Sequence, residues 1–219
     1  MPLWLASYPR SGNTLLRQVL RAGWSVQTTS LYPQDLGNNK ALEKACGHFE
    51  LQRTRLPDGG ISLAIADNAI VKTHELPGNE EHVIYVLRDG RPACVSLWHF
   101  YDKQISMADV VLGRHRFGLW AQHIGAWLGS RQPMAVFKYE DIVAKAPAVV
   151  DELATIMGPP TSDPLSAIGA RDTVAEKDGR WVRKKSDWQD DWSPEIDKLF
   201  WSVNGDAMRR HYPSAKPLA

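Results

Sequence analysis

The sequence predicts an α/β fold of three layers, a central, mainly parallel sheet with helices on both faces, and three observations carry that prediction. Short apolar, β-branched runs recur without polar alternation, as strands buried on both faces require. Stretches with apolar residues at helical spacing follow them, so strand and helix alternate. Gly, Pro, Asn and Asp stand at the joins, where turns are needed.

Leu3 to Ser7 is the first strand, short, apolar and followed by Pro9 and Gly12. Residues 14 to 22 then read as a helix with Leu15, Leu16, Val19 and Leu20 on one face. From 24 to 60 the chain is rich in Gly, Asn, Pro and Asp and is expected to be connection and local cover, with one short helix around NKALEKAC. AIVKT (69 to 73) and HVIYVLR (82 to 88) are two more buried strands. GRPACVSLWHFYDK follows at once as a helix whose first turn suits Pro92. A longer helical region is expected over 106 to 129, a fourth strand at MAVFKY (134 to 139), and a helix over 141 to 157 that GPP ends. Residues 160 to 193 are polar, and 194 to 211 open at Ser-Pro and read as one or two closing helices.

The length, 219 residues, fits a single domain over 1–219 with a substantial core. With 26 basic against 25 acidic residues the net charge is +1, which argues against a nucleic-acid partner bound through a broadly basic surface. Any anion site must therefore be built locally. Cys46 and Cys94 have neither metal-ligand nor CxxC spacing, and no run reaches the roughly 20 apolar residues of a membrane helix. The expectation is a cytoplasmic, unexported protein with no membrane span and no metal. Oligomeric state is not readable.

SYPRSGNT, residues 7 to 14, joins the first strand to the first helix. Ligands of open parallel sheets bind beyond the carboxyl ends of the strands, where helix N-termini offer free N–H groups and partial positive charge. Gly12 lets the backbone approach an anion, Ser11 and Thr14 add hydroxyls, and Arg10 adds a forked, permanent cation. The GxxxxGK[ST] signature of ordinary ATPases and GTPases is absent. Taken alone, the loop reads equally as a turn that caps a helix, and a second anion-binding feature decides between the two.

That feature is VLRDGRPACVSLWHFY, residues 86 to 101, where Arg88 ends a buried strand and Ser96 lies about a turn into the next helix. Here the sequence resembles the cytosolic-type sulfotransferase family, whose donor is 3′-phosphoadenosine 5′-phosphosulfate (PAPS). YPRSGNT resembles the family's 5′-phosphosulfate loop, usually YPKSGTT, and RDGRPACVS its 3′-phosphate motif. KTHELP (72 to 77) is similar to the KTHLP segment with the catalytic His, and VFKYED (136 to 141) to a strand end that places a Tyr near adenine. VRKKSDW (182 to 188) looks like a degraded RKGxxGDW segment, which wraps the 3′-phosphate. These motifs keep the family's order over residues 7 to 188.

The resemblance implies a P-loop NTPase-like arrangement, and the shortness of the chain suits a compact, bacterial-type member. It further implies a donor site of Arg10, Ser11, Gly12, Asn13, Thr14, Arg88, Ser96, Tyr139, Arg183 and Lys184, yielding 3′,5′-adenosine bisphosphate. His74 is the implied general base, with Glu75 as fallback; Arg10 neutralises the leaving oxygen, and Lys72 is placed to orient the donor sulfonate or the acceptor. The acceptor would be a small molecule or glycoside with a hydroxyl, an amine being second choice, against a wall of Trp24, Tyr32, Trp98, Phe100 and Tyr101. The chain departs from the family pattern at Arg10, usually Lys, at Leu15, often Trp, and in RKKSDW, which lacks both glycines. Two other readings stay open: a P-loop nucleotide or small-molecule kinase, and a nucleotide-binding module without catalysis.

Overall fold

The structure, a computed structural model, describes residues 1–78, 82–129, 133–169 and 188–218. Its centre is a five-stranded sheet in the order β2-β5-β1-β6-β7. The strands are β1 (Leu3–Ser7), β2 (Thr28–Ser30), β5 (Ile70–Thr73), β6 (Val83–Leu87) and β7 (Ala135–Lys138), and every pairing is parallel. A separate antiparallel pair joins β3 (Arg53–Arg55) to β4 (Ile61–Leu63).

Alternation along the strands makes the three layers. Ala6, Tyr85 and Leu87 point to one face, with Ala93, Leu97, Val110, Trp120 and Phe200. Leu5, Ile84 and Val86 point to the other, with Leu16, Val19, Leu20 and Leu153. The first face is covered by α3 (Gly90–Phe100), α4 (Met107–Val111), α5 (Trp120–Gly129) and the closing helix Pro194–His211; the second by α1 (Asn13–Trp24) and α7 (Pro147–Met157). Helices α1 and α3 leave the neighbouring strands β1 and β6 onto opposite faces, which opens a crevice at the carboxyl edge between them.

Three expectations change. The 106 to 129 region is two helices, because Gly113 turns at φ 69° with Leu119 N only 2.3 Å from where a Cβ would stand. The 141 to 157 region divides into α6 (Tyr139–Val143) and α7, separated by Lys145 at φ 55° with Pro147 opening the second helix. The 24 to 60 connection also does more than cover: besides α2 (Lys40–Cys46) it supplies the edge strand β2 and the β3 strand of the antiparallel pair. No helix of the described residues is long and apolar enough to cross a membrane.

Candidate active site

The β1–α1 turn is held in an unusual backbone posture. Arg10 lies at φ 65° and Gly12 at φ 98°, both left-handed. No side chain of the described residues caps the start of α1, and its first turn has no acidic residue, so its N–H groups and partial positive charge face the sheet edge. Ser11 is buried and its Oγ has no hydrogen-bond partner among the described residues, which leaves a hydroxyl for an anion held there. Gly12 is required twice over: its φ disfavours a side chain, and a Cβ would stand 2.4 Å from the Tyr139 ring. Asn13 turns inward instead, its Nδ2 donating to the Leu5 carbonyl at 2.8 Å, so what it offers a ligand is main chain. Thr14 follows in the same first turn.

Strand register brings the other charges to this turn. Ser7 pairs with Val86, so Arg88 emerges from β6 opposite the loop and donates through Nη1 to the Arg10 carbonyl at 2.7 Å. Arg10 Nε donates to Ser96 Oγ at 3.1 Å, and its guanidinium lies 5.3 Å from the centre of the Phe100 ring. Arg88 in turn lies 4.2 Å from the centre of the Tyr139 ring. Burial first, and the neighbouring Arg88 second, lower the Arg10 pKa to about 10. Two guanidiniums, a hydroxyl and a bare helix N-terminus thus converge where an anion would relieve their mutual repulsion.

On the other side of β1, Ala6 pairs with Thr73, which sets His74 beside Ser7. His74 Nδ1 lies 2.7 Å from the Ser7 carbonyl oxygen, which can only accept, so Nδ1 carries the hydrogen and Nε2 keeps its lone pair. Burial, then the Lys72 charge, hold the His74 pKa well below the usual range, so the ring is neutral at neutral pH. Tyr32 stacks on the imidazole with centroids 5.6 Å apart, and its hydroxyl accepts from the His74 N–H at 2.7 Å. Phe117 meets the same ring edge-on at 5.8 Å. Helix α5 fixes the main chain beneath: His123 Nε2 donates to the His74 carbonyl at 3.0 Å and Trp127 Nε1 to the Glu75 carbonyl at 3.1 Å.

Lys72 is placed differently from its sequence reading. Its ammonium is buried in an ion pair with Asp35, which also holds Arg17 at 2.6 Å. Glu75 is half-exposed and paired with Arg116 at 2.5 Å. Arg183 and Lys184 lie outside the described residues. Of the expected acceptor wall, Tyr32 stands against His74 and Phe100 against Arg10. Trp24 does not join them: at the end of α1, half-buried, its indole donates to the Gly158 carbonyl at 2.7 Å and packs against the core on that face. Trp98 donates to the Ile105 carbonyl at 2.9 Å and, half-buried, packs against the core of the other face.

Sequence reasoning missed Asp35, Arg17, Phe117 and the structural importance of His123. An acidic residue in a polar loop and an arginine on a helix carry no local mark of burial; His123, on an apolar helix with Trp120 and Trp127, gave the one usable signal. Among the described residues no group of three or more His, Cys, Asp or Glu could hold a metal ion.

Residues 1–202 match the family model described as the sulfotransferase domain. Among solved structures, the chain is similar to mouse sulfotransferase SULT7A1 complexed with PAP, at TM-score 0.63 and 18% identity over 98% of this chain and 89% of that one. It is also similar to retinol dehydratase in a complex with retinol and PAP, at TM-score 0.58 and 18% identity over 95% and 81%. No curated protein sequence matches the chain significantly.

Proposed function

The chain belongs to the sulfotransferase-domain family, and from that premise we propose that it moves the sulfuryl group of PAPS onto a hydroxyl of a small-molecule or glycoside acceptor. The observation that carries the reading is the convergence of Arg10, Arg88 and Ser96 on the uncapped start of α1, with His74 across β1 at the same sheet edge. That both similar structures are complexes with PAP supports the donor class.

The 5′-phosphosulfate lies on the 8–14 turn, and Arg88 with Ser96 takes the 3′-phosphate. The unsatisfied Ser11 hydroxyl and the closeness that Gly12 permits suit the first of these. An acceptor oxygen attacks sulfur in line; its O–H proton passes to His74 Nε2, the new S–O bond forms, and the bond from sulfur to the phosphate oxygen breaks. The electron pair leaves on 3′,5′-adenosine bisphosphate, whose growing charge Arg10 and the helix N-terminus offset. Histidine suits the base because Nδ1 is fixed as the donor and Nε2 stays unprotonated at neutral pH. Tyr139, packed on Gly12 and Arg88, borders the adenine side.

The test is calorimetry followed by turnover. The protein is expected to bind 3′,5′-adenosine bisphosphate without Mg²⁺ and, with PAPS and a panel of hydroxylated small molecules, sugars and peptides, to release the bisphosphate in step with sulfated product. Binding of MgATP alone, with no affinity for the bisphosphate, overturns the reading in favour of a kinase.

A further inference from the structure

Asp35 sits between two cations inside the protein. Its Oδ2 is 2.6 Å from Arg17 Nη1, its Oδ1 is hydrogen-bonded to the Lys72 ammonium, and its side chain is 4% exposed. Burial favours the neutral acid, but Lys72 and Arg17 outweigh it and bring the Asp35 pKa down to about 2. Both cations are rooted in regular structure, Arg17 in α1 and Lys72 in β5. Arg17 directs its remaining nitrogens to Thr28 Oγ1 at 2.8 Å and His48 Nδ1 at 2.9 Å, so its position is fixed from every side.

The segment that Asp35 belongs to has little regular structure of its own. Gln34 and Asn38 both lie in the left-handed region, at φ 52° and 61°, postures that persist only where surroundings impose them. Besides Asp35, only Leu36 of the 33–38 stretch is deeply buried, at 1% exposure. The same segment carries Tyr32, three residues before Asp35, whose ring stacks on His74 and whose hydroxyl accepts the His74 N–H. Lys72 closes the circuit: its ammonium pairs with Asp35 and lies 5.7 Å from the centre of the Tyr32 ring.

We infer that Asp35 is the positioning residue of the acceptor side: by gripping Arg17 and Lys72 it holds the 31–38 segment so that Tyr32 stays on the His74 ring. Lys72 acts here as the anchor for that grip. A buried ion triad adds little stability compared with an apolar filling of the same space, but it admits one arrangement of its members, and that is what a stacked ring over a base needs. The catalytic part of this inference rests on the reading of His74 as the base; the structural part does not.

Two measurements separate those parts. Imidazole ¹H–¹⁵N and Cε1–H spectra, with His74 assigned by its loss in His74→Ala, report the ring current of Tyr32 without any turnover. Asp35→Asn is expected to move the His74 signals in the same direction as Tyr32→Leu, and an unmoved signal overturns the inference whatever the enzyme does. In turnover, Asp35→Asn is expected to lower kcat/KM for the acceptor by about ten- to a hundredfold, while affinity for 3′,5′-adenosine bisphosphate stays within about threefold. The double variant Asp35→Asn/Tyr32→Leu should be no worse than Tyr32→Leu alone, since both act through one contact. Effects that multiply, or an equal loss of bisphosphate affinity, also overturn it. If Asp35→Asn does not fold, Asp35→Asn/Lys72→Met removes one charge of each sign; its His74 signals are expected to move as in Tyr32→Leu, and signals left at their wild-type positions overturn the inference. A wild-type protein that transfers no sulfuryl group would sink the proposed function and leave the spectra to decide the role of Asp35.

Discussion

Arg88 Nη1 donates a 2.7 Å hydrogen bond to the main-chain carbonyl of Arg10, across 78 residues of sequence. The bond explains how Arg10 keeps φ 65° without being glycine: the turned carbonyl is taken up by a guanidinium anchored at the end of the neighbouring strand. One arginine therefore shapes the loop that presents the other.

Replacing Arg88 tests this double duty. Arg88→Lys keeps the charge and loses the fork, so 3′,5′-adenosine bisphosphate is expected to bind at least about tenfold more weakly, in line with a lost charged hydrogen bond of roughly 1.5–3 kcal/mol. Arg88→Met should cost more. Calorimetry checks both, and wild-type affinity in Arg88→Lys would deny the bond any part in the site.

At Arg10, strain and chemistry can be separated by two substitutions. Arg10→Ala and Arg10→Gly both delete the guanidinium, so kcat should fall alike in the two. Glycine accepts φ 65° at no steric cost and alanine does not, so Arg10→Gly should unfold at the higher temperature, with a difference of about 1 kcal/mol. Thermal unfolding beside single-turnover rates measures both quantities.

Gly12→Ala meets two obstacles, its φ of 98° and the Tyr139 ring 2.4 Å from the new methyl. The expected result is a loss of about 1–3 kcal/mol in stability together with weaker bisphosphate binding, because Tyr139 must move off Arg88. Adding Tyr139→Ala should recover the steric part alone. Denaturant titration of the single and double variants resolves the two contributions.

What the sequence displayed depended on how local each signal was. Runs such as VIYVL, buried on both faces, are apolar throughout and visible at once, and the 8–14 turn carries its own punctuation. The edge strand β2 is only Thr-Thr-Ser; it is buried by what it pairs with, β5 on one side and the His48 bridge beside it, so nothing in its own composition marks it. Asp35 was hidden for the same reason, since its partners Arg17 and Lys72 are distant in the chain and meet only once β5 lies between β1 and β2. The helix breaks at Gly113 and Lys145 were missed although Gly113 and Pro147 stand inside the stretches read as helix, where such residues turn or end one; only the left-handed posture of Lys145 has no mark in its residue type.

His123 links His74 to the core and makes stability fall with acid. Its Nδ1 accepts from the Tyr85 hydroxyl at 2.8 Å and its Nε2 donates to the His74 carbonyl, an arrangement open only to the neutral ring. Burial lowers its pKa from 6.5 to about 4. The sign follows from linkage: between those values the unfolded chain binds a proton that the folded one refuses, so stability is full above about pH 6.5 and drops as pH falls toward 4. At pH 4.5 this group alone should cost about 2–3 kcal/mol, and His74, also buried neutral, adds in the same direction. His123→Gln, which keeps a donor for the His74 carbonyl without a titrating ring, is expected to flatten the fall in Tm between pH 7 and pH 4.5 while lowering Tm at pH 7. An acid profile as steep as that of the wild type would show that His123 titrates freely in the folded protein and does not hold His74 from below.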